Sequence, residues 1–342
     1  MIENEGVRAE EARICVLCGG EGAQLYDGLR DRLFSAPGNW SLMQCPKCQL
    51  VWLSPRPISE DIGKLYAQYY THHVLEPPKK SLAGLRKSLK ASILQSSFGY
   101  QMEGSNRILG SFSSRIGLLE DIVGGSVRYL KAENRGRLLD VGCGNGFFLN
   151  QMRRLGWDVE GVEPDGRAAS VARTKFGLKV FQGSLEEAKF PYECFDAITM
   201  NHVIEHVLDP IGLLRECRRV LRPGGKLVVM TPNIRSLGAR IFGEYWRGLE
   251  VPRHLFLFAP QTINACAKTA GLTIQDLRTT ANMASFIWYA SSLIRRDIIL
   301  QDGSPETPDR RLRVEGMAFL AAEYGLSWRR QVGEELVIGA TR

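Results

Sequence analysis

Leu138-Leu139-Asp140-Val141, followed by Gly142-Cys143-Gly144-Asn145-Gly146, constrains this chain more than any other stretch. The first four residues read as a short buried strand, and the alternating glycines as a turn that opens a helix. Glycines there remove Cβ atoms where backbone must touch a ligand, and they permit positive φ. Trp157 to Val162 reads as a second strand, with Glu163 at its carboxyl end. That is one βαβ unit, and its loops lie where open α/β sheets bind nucleotide-like ligands. A dinucleotide fingerprint would need a third glycine at 147, which is Phe147, so a nicotinamide dehydrogenase ranks last.

Further elements follow in order. Phe195 to Met200 is a strand that runs directly into Asn201-His202-Val203-Ile204-Glu205-His206. Asp209-Pro210 caps a helix over Ile211 to Leu221. Arg222-Pro223-Gly224-Gly225 signals a type II turn before a strand over Lys226 to Met230. Gly271 to Ile274 and Glu335 to Gly339 supply a sixth and a seventh strand. The pattern D-x-G-x-G-x-G, the acid ending strand two, and F-D-x-I…E-H-x-x-D-P…L-R-P-G-G-K-L-V-V closely resemble the class I S-adenosylmethionine-dependent methyltransferases. The resemblance runs from about Arg137 to the carboxyl terminus, with insertions. It implies an α/β, seven-stranded Rossmann-like sheet. It also implies cofactor contacts at Asp140, Gly142, Cys143, Gly144, Gly146, Glu163, Ser184, Leu185 and Asn201. In such proteins the Asp140 position helps hold the methionine amino end and the Glu163 position takes both ribose hydroxyls. Gly183-Ser184-Leu185 lacks the aspartate that many relatives set against the adenine, so the Ser184 hydroxyl or the Leu185 backbone stands in for it.

Eight cysteines in a chain read as cytoplasmic argue against a disulfide framework. Four form two matched knuckles, Cys15-x-x-Cys18 and Cys45-x-x-Cys48, 26 residues apart. Such thiolates can surround one tetrahedral zinc, as in a zinc ribbon. Gly19-Gly20 gives the first knuckle room to turn, whereas Gln49 replaces the usual glycine after the second. Cys143, Cys194, Cys217 and Cys266 read as structural. After the knuckles come Leu50 to Pro57 and an aromatic cluster at Tyr66, Tyr69 and Tyr70. This amino-terminal pattern resembles a bacterial subgroup of methyltransferases with a zinc ribbon, acting on saccharides, quinone-like rings and other small metabolites. The expected domains are a ribbon with aromatic extension over 1–75, a helical linker or lid over 76–135, and a methyltransferase domain over 136–342. Insertions are expected at about 235–258 and 283–330, the second holding an exposed Asp302–Pro308 loop.

The acidic Met1-Ile2-Glu3-Asn4-Glu5 start reads as no signal peptide. Met283 to Ile294 is too short to span a bilayer, which needs roughly 20 apolar residues, so no transmembrane segment is expected and the chain is placed in the cytoplasm. A net charge of +7 permits an anionic partner without demanding one. Residues 79–94 combine Lys79, Lys80, Arg86, Lys87 and Lys90 with Leu82, Leu85, Leu89 and Ile93 at helical spacing. A peripheral membrane contact there competes with the favoured reading, a solvated helix packing its leucines on the catalytic domain. The sequence assigns no oligomeric state.

A hydroxyl acceptor must lose its proton, which calls for a base or a metal. The histidines are His72, His73, His202, His206 and His254. If the segment after strand four is helical, His202, Glu205 and His206 share one face. His202 is then the expected base or acceptor contact, with Glu205 and His206 orienting the pocket or holding an ion. His254 falls in the region that covers the acceptor pocket in similar proteins. Some related O-methyltransferases hold a divalent metal through E-x-x-E-H and a later histidine, but here the first glutamate is His202. A purely structural role for these side chains is the bland alternative. H-x-x-E-H as an inverzincin motif is rejected, because nothing around it belongs to a protease. The leading function is methyl transfer from S-adenosylmethionine to oxygen, with carbon or nitrogen less favoured, of a small molecule. The alternatives are an RNA methyltransferase gripping nucleic acid through the ribbon, and a non-catalytic scaffold. No focused basic patch supports nucleic acid, and an intact glycine turn argues against a lapsed site.

Overall fold

The computed structural model describes residues 1–66, 83–298 and 309–342. Tyr69, Tyr70, His72, His73, Lys79, Lys80, Leu82 and the Asp302–Pro308 loop lie outside the described residues. Two compact units alternate along the chain. Met1–Tyr70, His202–Leu214 and Met230–Ile338 form one, and Thr71–Asn201, Arg215–Val229 and Gly339–Arg342 the other.

The amino-terminal segment carries β1 (Ile2–Asn4), β2 (Val7–Glu10), β3 (Ala23–Leu29), β4 (Trp40–Gln44), β5 (Val51–Leu53) and β6 (Arg56–Pro57). β3, β4 and β5 pair antiparallel, while β1, β2 and β6 make a separate small sheet. Three helices follow: α1 (Ala83–Phe98), α2 (Arg107–Ser113) and α3 (Gly117–Gly125). α1 buries the consecutive run Ala91, Ser92, Ile93 and Leu94, while Leu89 is half-buried.

Strands and helices then alternate: β7 (Arg137–Val141), α4 (Phe147–Arg154), β8 (Asp158–Glu163), α5 (Gly166–Phe176), β9 (Lys179–Gln182) and β10 (Phe195–Asn201). Next come α6 (Pro210–Val220), β11 (Leu221–Pro232), α7 (Leu237–Phe242), β12 (Phe256–Leu257), α8 (Pro260–Thr269) and β13 (Thr273–Thr280). The chain closes with α9 (Ala284–Ile294), α10 (Arg310–Arg330) and β14 (Glu335–Thr341). The seven-stranded sheet runs β13-β14-β11-β10-β7-β8-β9. β8 and β10 both lie parallel beside β7, so the order reverses there and the end of β7 is the topological switch point. Leu138, Leu139 and Val141 are buried, as a strand covered on both faces requires. β11 starts at Leu221 rather than Lys226, and Gly224, at φ 74°, makes its predicted bend within that strand. Among the described residues no helix is long and apolar enough to cross a membrane.

β12 was not legible from its two residues. It pairs antiparallel with β5, Phe256 opposite Trp52, and adds a fourth strand to the β3–β5 sheet. The Leu255 N–H donates to the Glu205 carbonyl (2.7 Å) and the Leu255 carbonyl accepts from Leu53 (2.9 Å), tying that sheet to the turn after β10.

Candidate active site

The first group of candidate residues surrounds the turn after β7. Gly142, Gly144 and Gly146 all stand at positive φ (70°, 53° and 77°). A Cβ on Gly146 would lie 2.6 Å from Leu178 Cδ1, so this glycine serves close packing. A Cβ on Gly144 would meet nothing within 4 Å, so its bare face looks into open space where a ligand can approach. The Cys143 thiol packs on Gly161, leaving only backbone for a cofactor contact. Glu163 is buried and pinned from behind: Gly144 N–H donates to Oε2 (2.7 Å) and Asp165 N–H to Oε1 (2.9 Å). A carboxylate offers about four lone-pair positions, so two remain, which fits the paired hydroxyls of a ribose. Burial raises its affinity for a proton, against the two N–H donors.

Asp140 accepts a hydrogen bond from the Thr199 hydroxyl (2.6 Å). Burial pushes its carboxyl up to about 7, against the pull of the Arg128 cation and that hydroxyl. Arg128 stacks over the Phe148 ring at 4.6 Å. Ser184 closes a local turn: its N–H donates to Glu187 Oε2 (2.7 Å) and its hydroxyl accepts from Glu187 N–H (3.2 Å). Leu185 is buried beside it, and Asn201 ends β10.

The second group follows β10, and here the helical expectation fails. His202 sits in the left-handed region (φ 53°), and only Ile204–His206 make a short 3-10 turn. His202 still meets Glu205, with Nδ1 3.1 Å from Oε1, but its Nε2 is 2.7 Å from Glu335 Oε1. Burial opposes charge on the ring, yet the two carboxylates outweigh it and raise its pKa to about 10. With both ring nitrogens set against carboxylates, the geometry favours a protonated, positioning role for His202 over that of the base. Glu335 lies 133 residues downstream, out of reach of any local sequence signal.

Glu205 is buried. Burial would raise its pKa, but His202 draws it down to about 2, and Oε2 accepts from the Thr231 hydroxyl (2.9 Å). Ligand atoms of Glu205, His206 and His254 all lie within 4.8 Å of one another. His206 Nδ1 is 3.0 Å from the Arg253 carbonyl and 3.0 Å from the Tyr66 hydroxyl, and His254 Nδ1 is 2.8 Å from the Gly248 carbonyl. A carbonyl only accepts, so both rings carry a proton on Nδ1, and the His254 Nε2 lies 3.7 Å from Glu250 Oε2. Burial drives the His254 pKa down to about 4, so that ring is neutral.

A charged frame supports this turn. Arg253 is fully buried and grips Asp31 with two parallel bonds of 2.7 and 3.0 Å, while Asp31 also accepts from the backbone of Leu33, Phe34 and Ala36. Glu250 holds Arg247 and the Arg253 Nε from the other side. Sequence inspection missed all four, because none belongs to a motif or a periodic face.

The knuckles repeat one another bond for bond. Cys15 N–H donates to Gly20 and Gly19 N–H to Cys15; likewise Cys45 N–H donates to Leu50 and Gln49 N–H to Cys45. Gly19 and Gln49 share φ 68°, so Gln49 adopts the glycine conformation, with its side-chain amide 3.1 Å from the Pro46 carbonyl. The four thiols are free of disulfides and close together, Cys15 to Cys48 at 3.5 Å and Cys18 to Cys45 at 3.3 Å. Thiolates on a tetrahedral zinc stand about 3.8 Å apart, so this group is of a size to hold such an ion.

A family model described as a methyltransferase domain matches residues 120–277. The chain is 34% identical over 174 residues to a ubiquinone biosynthesis O-methyltransferase of Cereibacter sphaeroides, covering 47% of this chain and 69% of that protein. A protein of the same name from Xanthomonas oryzae pv. oryzae is 38% identical over 154 residues, 41% of this chain and 64% of its own. Among solved structures, an S-adenosylmethionine dependent methyltransferase from Mesorhizobium loti covers 65% of this chain and 98% of its own, at 18% identity and a TM-score of 0.43, too remote to carry an argument. With a glycine turn, a pinned acid and a switch point where such proteins need them, the chain belongs to the class I S-adenosylmethionine-dependent methyltransferases.

Proposed function

We propose that this enzyme methylates a hydroxyl oxygen of a small molecule, a quinone-like ring foremost and a saccharide or other metabolite next. The observation that carries this reading is a pair of imidazoles, each with Nδ1 tied to a backbone carbonyl, beside a buried carboxylate. Oxygen needs such a proton acceptor before it can attack a methyl group. The relatives named O-methyltransferases support it. When bound, S-adenosylmethionine supplies an activated methyl on sulfur. Asp140 attracts its ammonium, the 142–146 turn admits it and Glu163 takes the ribose; Ser184, Leu185 and Asn201 are the remaining proposed contacts. His206, less buried than His254, takes the acceptor proton at Nε2. His202 is a positioning residue that keeps Glu205 ionised.

A divalent ion held by Glu205, His206 and His254 is a second reading, favoured by one observation. Both rings tie Nδ1–H to backbone carbonyls, as metal-ligating histidines commonly do. Such an ion would lower the acceptor's pKa in place of the base. The RNA alternative finds no support in the ribbon, whose arginines Arg8, Arg13, Arg30, Arg32 and Arg56 all pair with acids. The test is transfer of labelled methyl from S-adenosylmethionine to a catechol, a hexose and an RNA transcript. Label on the catechol oxygen is expected, abolished in His206→Ala with cofactor affinity intact. Label on RNA alone would overturn the reading, and loss of transfer on chelation with the ribbon metal retained would put the ion in place of the base.

The thiol group is assigned a structural zinc. Burial opposes the thiolate at Cys45, but the N–H groups of Cys48 and Lys47 and the Cys18 thiol help bring it down to about 7, whereas burial holds the Cys15 and Cys48 thiols above their ordinary range. Elemental analysis is expected to find one zinc per chain, lost in Cys15→Ser/Cys48→Ser; metal-free protein with four reactive thiols would contradict this. Chelation should loosen the ribbon before the rest of the molecule.

Cofactor binding should also depend on pH. The Asp140 carboxyl is raised from 3.8 to about 7, so it stabilises the fold below the lower value and loses that contribution as pH climbs through the upper one. Only the ionised form attracts an ammonium. Affinity measured by calorimetry should therefore rise between pH 6 and 7.5, by at most about tenfold per unit for one proton, and Asp140→Asn should flatten the profile. An equal slope in both proteins would contradict the assignment.

A further inference from the structure

α2 is packed inside out. It buries its small residues, Gly110 and Ser113, and a Cβ on Gly110 would collide with the Ser92 carbonyl of α1. Two of its three large apolar residues face outward, Ile108 at 73% exposed and Phe112 at 68%, with Ile116 just beyond at 55%, while Leu109 is half-buried. These three are four residues apart, so Ile108 and Phe112 lie on one helix face and Ile116 continues the series. Water gives no reason to expose such a series, and a clustered apolar surface marks a contact. The glycine shows that the arrangement is built in: only a residue without a side chain lets α2 approach α1 this closely and turn the other face out.

The surrounding charge selects the occupant. Across the three helices, 83–125, five basic residues, Arg86, Lys87, Lys90, Arg107 and Arg115, outnumber three acids, Glu103, Glu120 and Asp121, and only Glu103 lies between α1 and the end of α2. Arg107 and Arg115 flank the apolar series, and the Arg115 guanidinium lies 5.8 Å from the Phe112 ring centre. Apolar side chains framed by cations suit a surface of anionic headgroups above acyl chains. We propose that the α1–α2 hairpin docks on the face of an anionic lipid bilayer, inserting Ile108, Phe112 and Ile116 at headgroup depth. This goes beyond the acceptor assignment and does not depend on it.

The experiment is co-sedimentation of the full chain with phosphatidylcholine vesicles, with and without phosphatidylglycerol, omitting cofactor and acceptor. Anionic vesicles should bind the protein at least tenfold better than neutral ones, and the difference should shrink with salt. Ile108→Glu/Phe112→Glu should lower binding at least tenfold, and Arg86→Ala or Lys87→Ala about fivefold each. All these positions are solvent-exposed, so the variants should fold, and unchanged S-adenosylhomocysteine affinity verifies that. Absence of vesicle binding by the wild type, or equal binding by the glutamate variant, would overturn the proposal. So would a wild-type dimer, dissolved by the glutamate variant, that ignores vesicles.

Discussion

Glu163→Ala is expected to weaken S-adenosylmethionine binding by about 1.5–3 kcal/mol for each ribose hydroxyl that loses its charged acceptor. That is roughly ten- to a hundredfold per bond. The carboxylate is set for this task because its backbone-side lone pairs are already used and two others remain. Gly144 and Asp165 N–H groups hold both oxygens from the backbone side, so a bound ribose pays little to order the side chain. Removing it also strands the Gly144 N–H, which lies in the turn the cofactor must approach. Glu163→Gln keeps the shape without the charge and should fall between. Calorimetry with S-adenosylhomocysteine reads the effect directly; an affinity within twofold of wild type in the alanine variant would exclude Glu163 from the site.

The second large effect is expected far from any cofactor contact. Asp31→Ala removes the bidentate partner of the buried Arg253 guanidinium, which keeps its contacts to Glu250, the Leu65 carbonyl and the Phe34 ring. Breaking one side of such a buried pair typically costs about 3–5 kcal/mol. The side chain of Arg253 anchors to Asp31 while its carbonyl sets the His206 ring, so the same change should reduce methyl transfer as well. Thermal unfolding of Asp31→Ala should begin well below wild type, with cofactor affinity nearly unchanged. Asp31→Ala/Arg253→Leu should recover much of the stability, because replacing both charges by apolar groups removes the unpaired one. A single variant that unfolds with the wild type would show that the pair carries no weight.

What could be seen beforehand follows the range over which each feature is encoded. The glycine turn, the acid at the end of β8 and the two knuckles are local, each dictated by neighbours a few residues apart, and the observed strands lie within a few residues of the expected ones. The matched knuckles even predict their own backbone, except that Gln49 had to adopt a glycine's φ. His202 shows the opposite case. Spacing put it on a helix face with Glu205, but its state is decided by Glu335, delivered by the last strand. A distant carboxylate takes up the second ring nitrogen of a candidate base, and no window of sequence contains both. Asp31 and Arg253 were invisible for the same reason, 222 residues apart and joined only after β12 adds to the ribbon sheet. α2 escaped notice because its short segment hides small residues instead of large ones, the reverse of the pattern by which amphipathic helices are found.

A crystal structure with S-adenosylhomocysteine is expected to show both ribose hydroxyls on the Glu163 carboxylate, the methionine end against the bare face of Gly144 near Asp140, and His202 still clamped between Glu205 and Glu335. Ligand bound elsewhere, with Glu163 facing only its two backbone donors, would contradict this placement.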